Sequence, residues 1–227
     1  MTKSVVLLSA GLDSTVNLFL ANEKTEVVLA LTFDYGQRAA LREIDCASQI
    51  CKDLKIPHQV VSLGFMKKFG NSSLINEDFQ IPTADKVEID NLQTSKRTAK
   101  SVWVPNRNGI FLNIAAGYAE ALGAQQIIPG FNIEEATTFP DNTQDFLAAA
   151  TNAFSYSTAN RVQAVCYTTN MNKIQIIEQG KILKIDWSKI WPCYFSYEKW
   201  CGECESCKRA RRAFEKNKIK TEGYFLK

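Results

Sequence analysis

Unbroken apolar runs, each followed by a turn and a helix-periodic stretch, restrict this chain more than any other feature. "SVVLLS" (4–9) shows no apolar–polar alternation, so both faces of the strand it predicts must be covered. "EVVLALTFDYG" (26–36) repeats the signal and ends at the breaker Tyr35-Gly36. "HQVVSLG" (58–64), "QQIIPGFN" (125–132) and "VQAVCYTT" (162–169) predict three more strands. Between them lie helical spacings: Val16, Leu18, Phe19 and Leu20, then "RAALREIDCASQICKDL" (38–54) and "GIFLNIAAGYAEALGA" (109–124). "TQDFLAAATNAFSYST" (143–158) and "NKIQIIEQGKIL" (172–183) follow. This alternation predicts βαβ units and an open, mostly parallel α/β sheet flanked by helices.

The regular pattern breaks twice. Residues 65–104 are polar and weakly periodic, as expected of a lid, a partner-binding loop or a partly disordered insertion. The end of the chain is rich in cysteine and then in basic residues. We therefore expect an α/β body over 1–188, carrying the 65–104 insertion, and a small subdomain over 189–227. No apolar stretch reaches the roughly 20 residues that span a bilayer. No leader pattern precedes the first strand, so a cytoplasmic location without membrane contact is expected. The net charge is +3, but from Lys208 onward eight Lys/Arg face two Glu. That basic end fits either a phosphate contact or a solvated helix end suited to the dipole.

The turn after the first strand, "SAGLDST" (9–15), places three hydroxyls, a carboxylate and one glycine at a helix start. Unpaired N–H groups and the dipole make that position anion-binding. Asp13 suits phosphates when it holds a cation such as Mg²⁺; the plain alternative is a helix cap. Neither the Walker pattern nor the dinucleotide glycine pattern occurs here. Ser9, Gly11, Ser14 and Thr15 are the pyrophosphate-binding candidates. Arg107 is a natural fork for polyanion oxygens. Lys173, at a predicted helix start, opposes the dipole unless it faces an anion. The single His58 follows Pro57 with no partner for base chemistry and is read as structural.

Four of seven cysteines crowd into Cys193-x7-Cys201-x2-Cys204-x2-Cys207. Four thiolates so spaced suit a closed tetrahedral Zn²⁺ site better than an iron–sulfur cluster, since no Cys-Pro closes the run. Cys46, Cys51 and Cys166 read as small buried hydrophobes.

The turn resembles the PP-loop of ATP pyrophosphatases, Ser-Gly-Gly-x-Asp-Ser-Thr, with Ala10 at the first glycine; alanine fits if its φ is negative. "LTFDYGQR" (31–38), "VPNRNGIFLNIAAGYAEALGA" (104–124) and "NMNKIQIIEQG" (170–180) match further segments of that superfamily. Together with "CGECESC" they resemble the 7-cyano-7-deazaguanine synthases, the QueC family, nearly end to end. The resemblance implies ATP and Mg²⁺, ammonia and 7-carboxy-7-deazaguanine as ligands, and a structural Zn²⁺ on Cys193, Cys201, Cys204 and Cys207. A homodimer is expected, with the irregular 65–104 segment as its contact, and nucleic acid is not expected as a partner.

The implied ATP site comprises Leu8, Ser9, Ala10, Gly11, Leu12, Ser14, Thr15, Phe33, Tyr35, Gln37, Asn108 and Gly130. Asp13, Arg107 and Lys173 are the implied catalytic residues. Asn132, Glu134, Glu135, Thr137, Phe139 and Asp141 are expected to meet the base. There "GFNIEEATTFPDNTQDF" replaces a more usual Asp-Tyr-Ser-Gly-Tyr-Pro-Asp. The implied reaction adenylates the carboxylate, forms an amide with ammonia, and adenylates again to eliminate the nitrile. Alternatives are a tRNA thiolase using the same loop, a relative that adenylates another carboxylate, and a non-catalytic nucleotide binder. Intact Asp13, Arg107 and Lys173 argue against the last.

Overall fold

The computed structural model describes residues 1–227, apart from the side chain of Leu92. Five strands form one parallel sheet: β1 Lys3–Leu7, β2 Glu26–Asp34, β3 His58–Ser62, β4 Gln126–Ile128 and β5 Gln163–Ala164. Their spatial order is β3-β2-β1-β4-β5, with every pair parallel. The helices are α1 Leu12–Lys24, α2 Ala40–Leu54, α3 Leu92–Val102 and α4 Arg107–Ala121. After them come the short α5 Ile133–Ala136, α6 Gln144–Ser157, α7 Lys173–Ile182 and α8 Glu205–Lys216. No helix among the described residues is long and apolar enough to cross a membrane.

The central strands read as continuous apolar runs because both faces are covered. Val5 and Val6 of β1, Ala30 and Leu31 of β2, and Ile127 and Ile128 of β4 are fully buried. On one side α1 packs on α7, and α7 on α8; α4 packs on α6. β5 is only two residues long, shorter than its apolar run, because the chain turns away at Cys166 to bond the Asn17 side chain within α1. Tyr167 N–H donates to Asn17 Oδ1 at 2.9 Å.

The chain order reverses between β1 and β4. Connections run outward from β1 to β2 and β3, then outward on the other side through β4 and β5. Such a reversal opens a crevice at the carboxyl ends of the two central strands, where ligands bind in open α/β sheets.

Residues 65–104 are more ordered than their composition suggests. α3 occupies 92–102, and Asn91 Oδ1 accepts from the N–H groups of Gln93 and Thr94 at its start. Its buried residues are Ser95, Thr98, Ala99 and Val102, a helical stripe half made of hydroxyls. Thr98 donates to Glu205 Oε2 at 3.1 Å, and Lys208 Nζ donates to the carbonyls of Ala84 and Val87. The segment is thus fastened to the C-terminal end of the chain. Likewise residues 189–227 share the main core: Trp187 and Phe214 meet edge to face at 5.3 Å, and Trp191 N–H donates to the Ala10 carbonyl at 2.7 Å.

Candidate active site

β1 carries the chain into the crevice and Ser9-Ala10-Gly11 turns it into α1. Ala10 stands at φ 55°, so the expectation of a negative φ is corrected. Left-handed backbone is adopted freely only by glycine, which explains why the related loop has glycine there. The hydrogen bond from Trp191 and complete burial of the methyl group hold the alanine in place. Gly11 is the N-cap of α1, and no side chain caps that helix. The cap explanation for Asp13 and Ser14 therefore fails, and the first-turn N–H groups remain for a ligand. The Ser9 and Ser14 hydroxyls lie 3.1 Å apart at this mouth.

β4 ends at Pro129-Gly130, directly beside the start of α1. A Cβ on Gly130 would fall 2.5 Å from the Ser14 Cα and backbone N, so only glycine lets the segment after β4 approach the start of α1.

A buried charge cluster occupies the floor. Asn172 caps α7 with a capping box to Gln175, placing Lys173 at the first helical position, 3% exposed. Its Nζ donates to Asp13 Oδ2 and, at 2.9 Å, to Glu135 Oε1. Asn132 Nδ2 adds a bond to Asp13 Oδ2 at 3.1 Å. The lysine does face anions, but they are two carboxylates of the protein. Burial pushes the Asp13 carboxyl up to about 6 despite Lys173. Burial also disfavours ionised Glu135, but Lys173 outweighs it and holds that group down at about 2. Two buried atoms here have no hydrogen-bond partner: Asp13 Oδ1 and Thr15 Oγ1. An orphaned carboxylate oxygen at a helix start fits an added cation.

The cavity above gathers Leu8, Ser9, Gly11, Leu12, Asp13, Ser14, Phe33, Tyr35, Gln37, Arg107, Asn108 and Gly130, with Glu135, Phe139, Asp141 and Lys173. Arg107 donates to the Tyr35 hydroxyl at 3.3 Å, and Phe33 stacks on Phe111 at 4.3 Å. Ala10, Thr15 and Asn132 stand behind this lining and support it.

Glu134 and Thr137 do not belong to it. Glu134 turns outward to Arg209 Nη1 at 2.7 Å and Arg212 Nη2 at 2.5 Å; its other oxygen accepts the Lys173 N–H at 2.9 Å. The basic pair pulls this carboxylate away from the cavity and makes it a brace for α7. Thr137 is exposed and bonds the Glu134 carbonyl.

Sequence reasoning missed Trp103, Glu43, Trp191 and Tyr194, all of which line the cavity. Glu43 accepts from Gln37 Nε2 at 2.8 Å, and burial pushes it up to about 7. Its place one turn into α2 after "FDYGQR" was the available signal. His58 is structural, as expected, since its Nε2 meets the buried Thr32 hydroxyl at 2.8 Å.

The four cysteines converge. Cys193, Cys201, Cys204 and Cys207 are buried, with Sγ atoms all within 4.8 Å of one another. Cys201 and Cys207 Sγ are 3.8 Å apart, the edge expected of a tetrahedron with metal–sulfur bonds of about 2.3 Å. Backbone N–H groups of Cys201, Phe195, Glu203 and Cys204 point at these sulfurs, which favours thiolates. The set can hold a metal ion.

A family model described as queuosine biosynthesis protein QueC matches residues 3–218. The chain belongs to the QueC family. It is 59% identical to the 7-cyano-7-deazaguanine synthase of Bdellovibrio bacteriovorus over 98% of this chain and 97% of that protein. Identity to the synthase of Desulforamulus reducens is 46%, over 98% of each chain. In fold this QueC member is similar to NMN synthetase from Francisella tularensis, with TM-score 0.50 and 15% identity over 98% of this chain and 80% of that one. The basic residues that set the end of this QueC chain apart are largely engaged internally. Lys208, Arg209, Arg211 and Arg212 bond the 84–90 segment, Glu205, Glu134 and the terminal Lys227.

Proposed function

We propose that this chain converts 7-carboxy-7-deazaguanine and ammonia to 7-cyano-7-deazaguanine with ATP. The observation that carries the proposal is 59% identity, over essentially full length, to a protein of that name. The carboxylate attacks the α-phosphorus of ATP, the α–β bridge breaks, and pyrophosphate leaves an acyl adenylate. Ammonia adds to the acyl carbon and expels AMP, giving the amide and a proton. The amide oxygen attacks the α-phosphorus of a second ATP, expelling pyrophosphate as one N–H proton is lost, and departure of AMP with the remaining N–H proton leaves the carbon–nitrogen triple bond.

In this reading the chain's residues position and neutralise. The Ser9 and Ser14 hydroxyls and the first-turn N–H groups of α1 receive the departing pyrophosphate, with Thr15 below. Phe33, Tyr35, Gln37 and Asn108 hold the nucleoside side. Arg107, which is permanently charged, and Lys173 offset charge that builds during transfer. Asp13, through its unpartnered Oδ1, would hold Mg²⁺, which neutralises the polyphosphate when bound. Cys193, Cys201, Cys204 and Cys207 would hold Zn²⁺, which locks residues 189–227 as a subdomain against the 1–188 body. Thiolate ligands of this kind suit a reducing compartment, so the cytoplasm is the proposed location. A homodimer through the 65–104 segment is supported by Phe65 and Phe79, 52% and 41% exposed.

The test is incubation of metal-loaded protein with ATP, Mg²⁺, ammonia and 7-carboxy-7-deazaguanine, read by mass spectrometry. Two AMP per nitrile are expected. A fully loaded, folded preparation that releases no AMP above background would rule the proposal out.

A further inference from the structure

The cavity has two aromatic walls. One, Phe33 stacked on Phe111 at 4.3 Å with planes 11° apart, stands at the end of β2. The other joins Trp103, at the C-cap of α3, to Phe139, in the segment after β4. Because β2 and β4 flank β1 on opposite sides, the walls rise on opposite sides of the Ser9–Ser14 turn. A reaction that joins two planar heterocycles through one phosphate needs such a pair of platforms.

The second wall is unfinished. The Trp103 and Phe139 rings are nearly parallel, 8° apart, but their centroids are 6.0 Å apart. Carbon contact is optimal at about 3.5–4.0 Å, so whether slid or spread, neither ring covers the other's face. Both rings line the cavity and both are half-buried, leaving aromatic surface open to it. Two residues after Phe139, Asp141 lines the same cavity. Its Oδ1 accepts from Asn142 Nδ2 at 3.1 Å, and Asn108 Nδ2 holds its backbone carbonyl at 3.3 Å. The loop is thereby fixed, with one carboxylate oxygen unclaimed by any side chain.

We propose that Trp103 and Phe139 form the stacking platform for the deazaguanine base, and that Asp141 accepts from its N1–H and 2-amino edge. The inference rests on the function proposed above and supplies its specificity: a bicyclic base with adjacent donors. A carboxylate accepts two parallel N–H groups, whereas an adenine edge presents an acceptor there and is repelled. It also gives the 65–104 insertion a role, since α3 delivers Trp103 to the cavity.

The probes are 7-deazaguanine, which lacks the reacting carboxylate, and ATP. Their binding to the metal-loaded full-length protein is measured by equilibrium dialysis, without turnover. Trp103→Ala is expected to weaken 7-deazaguanine binding about 5- to 150-fold, the usual effect of removing one base-stacking ring. Trp103→Phe retains most of the affinity, Asp141→Asn loses about tenfold or more, and ATP binding moves less than about twofold in all three. Unchanged 7-deazaguanine binding in both Trp103→Ala and Phe139→Ala overturns the platform alone, provided the wild type still forms the nitrile. Equal losses for ATP and 7-deazaguanine overturn it as well, by making Trp103 part of the adenine wall. A wild type that binds ATP but not 7-deazaguanine overturns both this inference and the acceptor assignment.

Discussion

The turn after β1 and the cysteine segment touch through one hydrogen bond, Trp191 N–H to the Ala10 carbonyl, yet the second carries polar anchors of its own beside the shared core. The turn is clamped between buried apolar strands; Val5, Val6, Val16 and Ile128 have no exposed surface. The segment from 189 shares that core through Trp191, Trp200, Ala210, Ala213 and Phe214. It adds four buried thiols and Arg209, which pairs with Glu205 and Glu134. Driving water off apolar surface accounts for the first region; in the second, satisfying buried thiols and charges adds to the same effect. Trp191 and Tyr194 line the cavity, so the site is finished by the region that carries the four cysteines.

Metal removal separates the two regions most strongly. Chelation is expected to abolish AMP release and expose Trp191 and Trp200, while far-UV circular dichroism keeps most of the sheet and helix signal. Loss of all structure together would show that the body is not self-supporting. The next largest effect lies at the floor. Lys173→Met leaves the buried Asp13 and the half-buried Glu135 without their cation, which costs about 3–5 kcal/mol of stability in urea unfolding. Activity falls at least about 10³-fold. Adding Asp13→Asn to that variant recovers part of the stability and none of the activity.

Acid affects the same cluster more gently. Asp13 is raised to about 6 from 3.8, so its ionisation costs stability as pH rises through that interval. Glu135, lowered from 4.5 to about 2, stabilises above 4.5, and that share is lost as pH falls toward 2. Below about pH 6, calorimetric affinity for ATP with Mg²⁺ should weaken up to tenfold per unit. In Asp13→Asn it is weak and flat. The smallest effect is at Ala10. Left-handed alanine costs about 1–2 kcal/mol; glycine would add about 0.4–1 kcal/mol of unfolded-state entropy and lose a buried methyl of about 0.8 kcal/mol. Ala10→Gly therefore moves Tm by less than about 2 °C, whereas Ala10→Val destabilises by about 1–3 kcal/mol.

The same contrast decides what could be read from letters alone. β1, β2 and β4 were legible as apolar runs, and the metal set as spaced cysteines, because each signal is local. α3 was not, since Ser95 and Thr98 occupy half of its buried stripe and bury their hydroxyls by bonding, Thr98 to Glu205 across 107 residues. Glu134 and Glu135 are adjacent carboxylates after one strand. Only the distant Arg209 and Lys173 decide which faces out and which faces the cavity. Trp103 and Tyr194 adjoin the 104–124 segment and Cys193, but which way each ring faces is set by packing, α3 carrying Trp103 to the cavity.

The central claim is that the substrate's two carboxylate oxygens are passed in turn to the α-phosphorus of two ATP molecules. Turnover of 7-carboxy-7-deazaguanine labelled with ¹⁸O at both carboxylate oxygens tests it directly, by mass spectrometry of the AMP released. One ¹⁸O in each of two AMP molecules per nitrile is predicted. Unlabelled AMP, or label in the pyrophosphate, would contradict it.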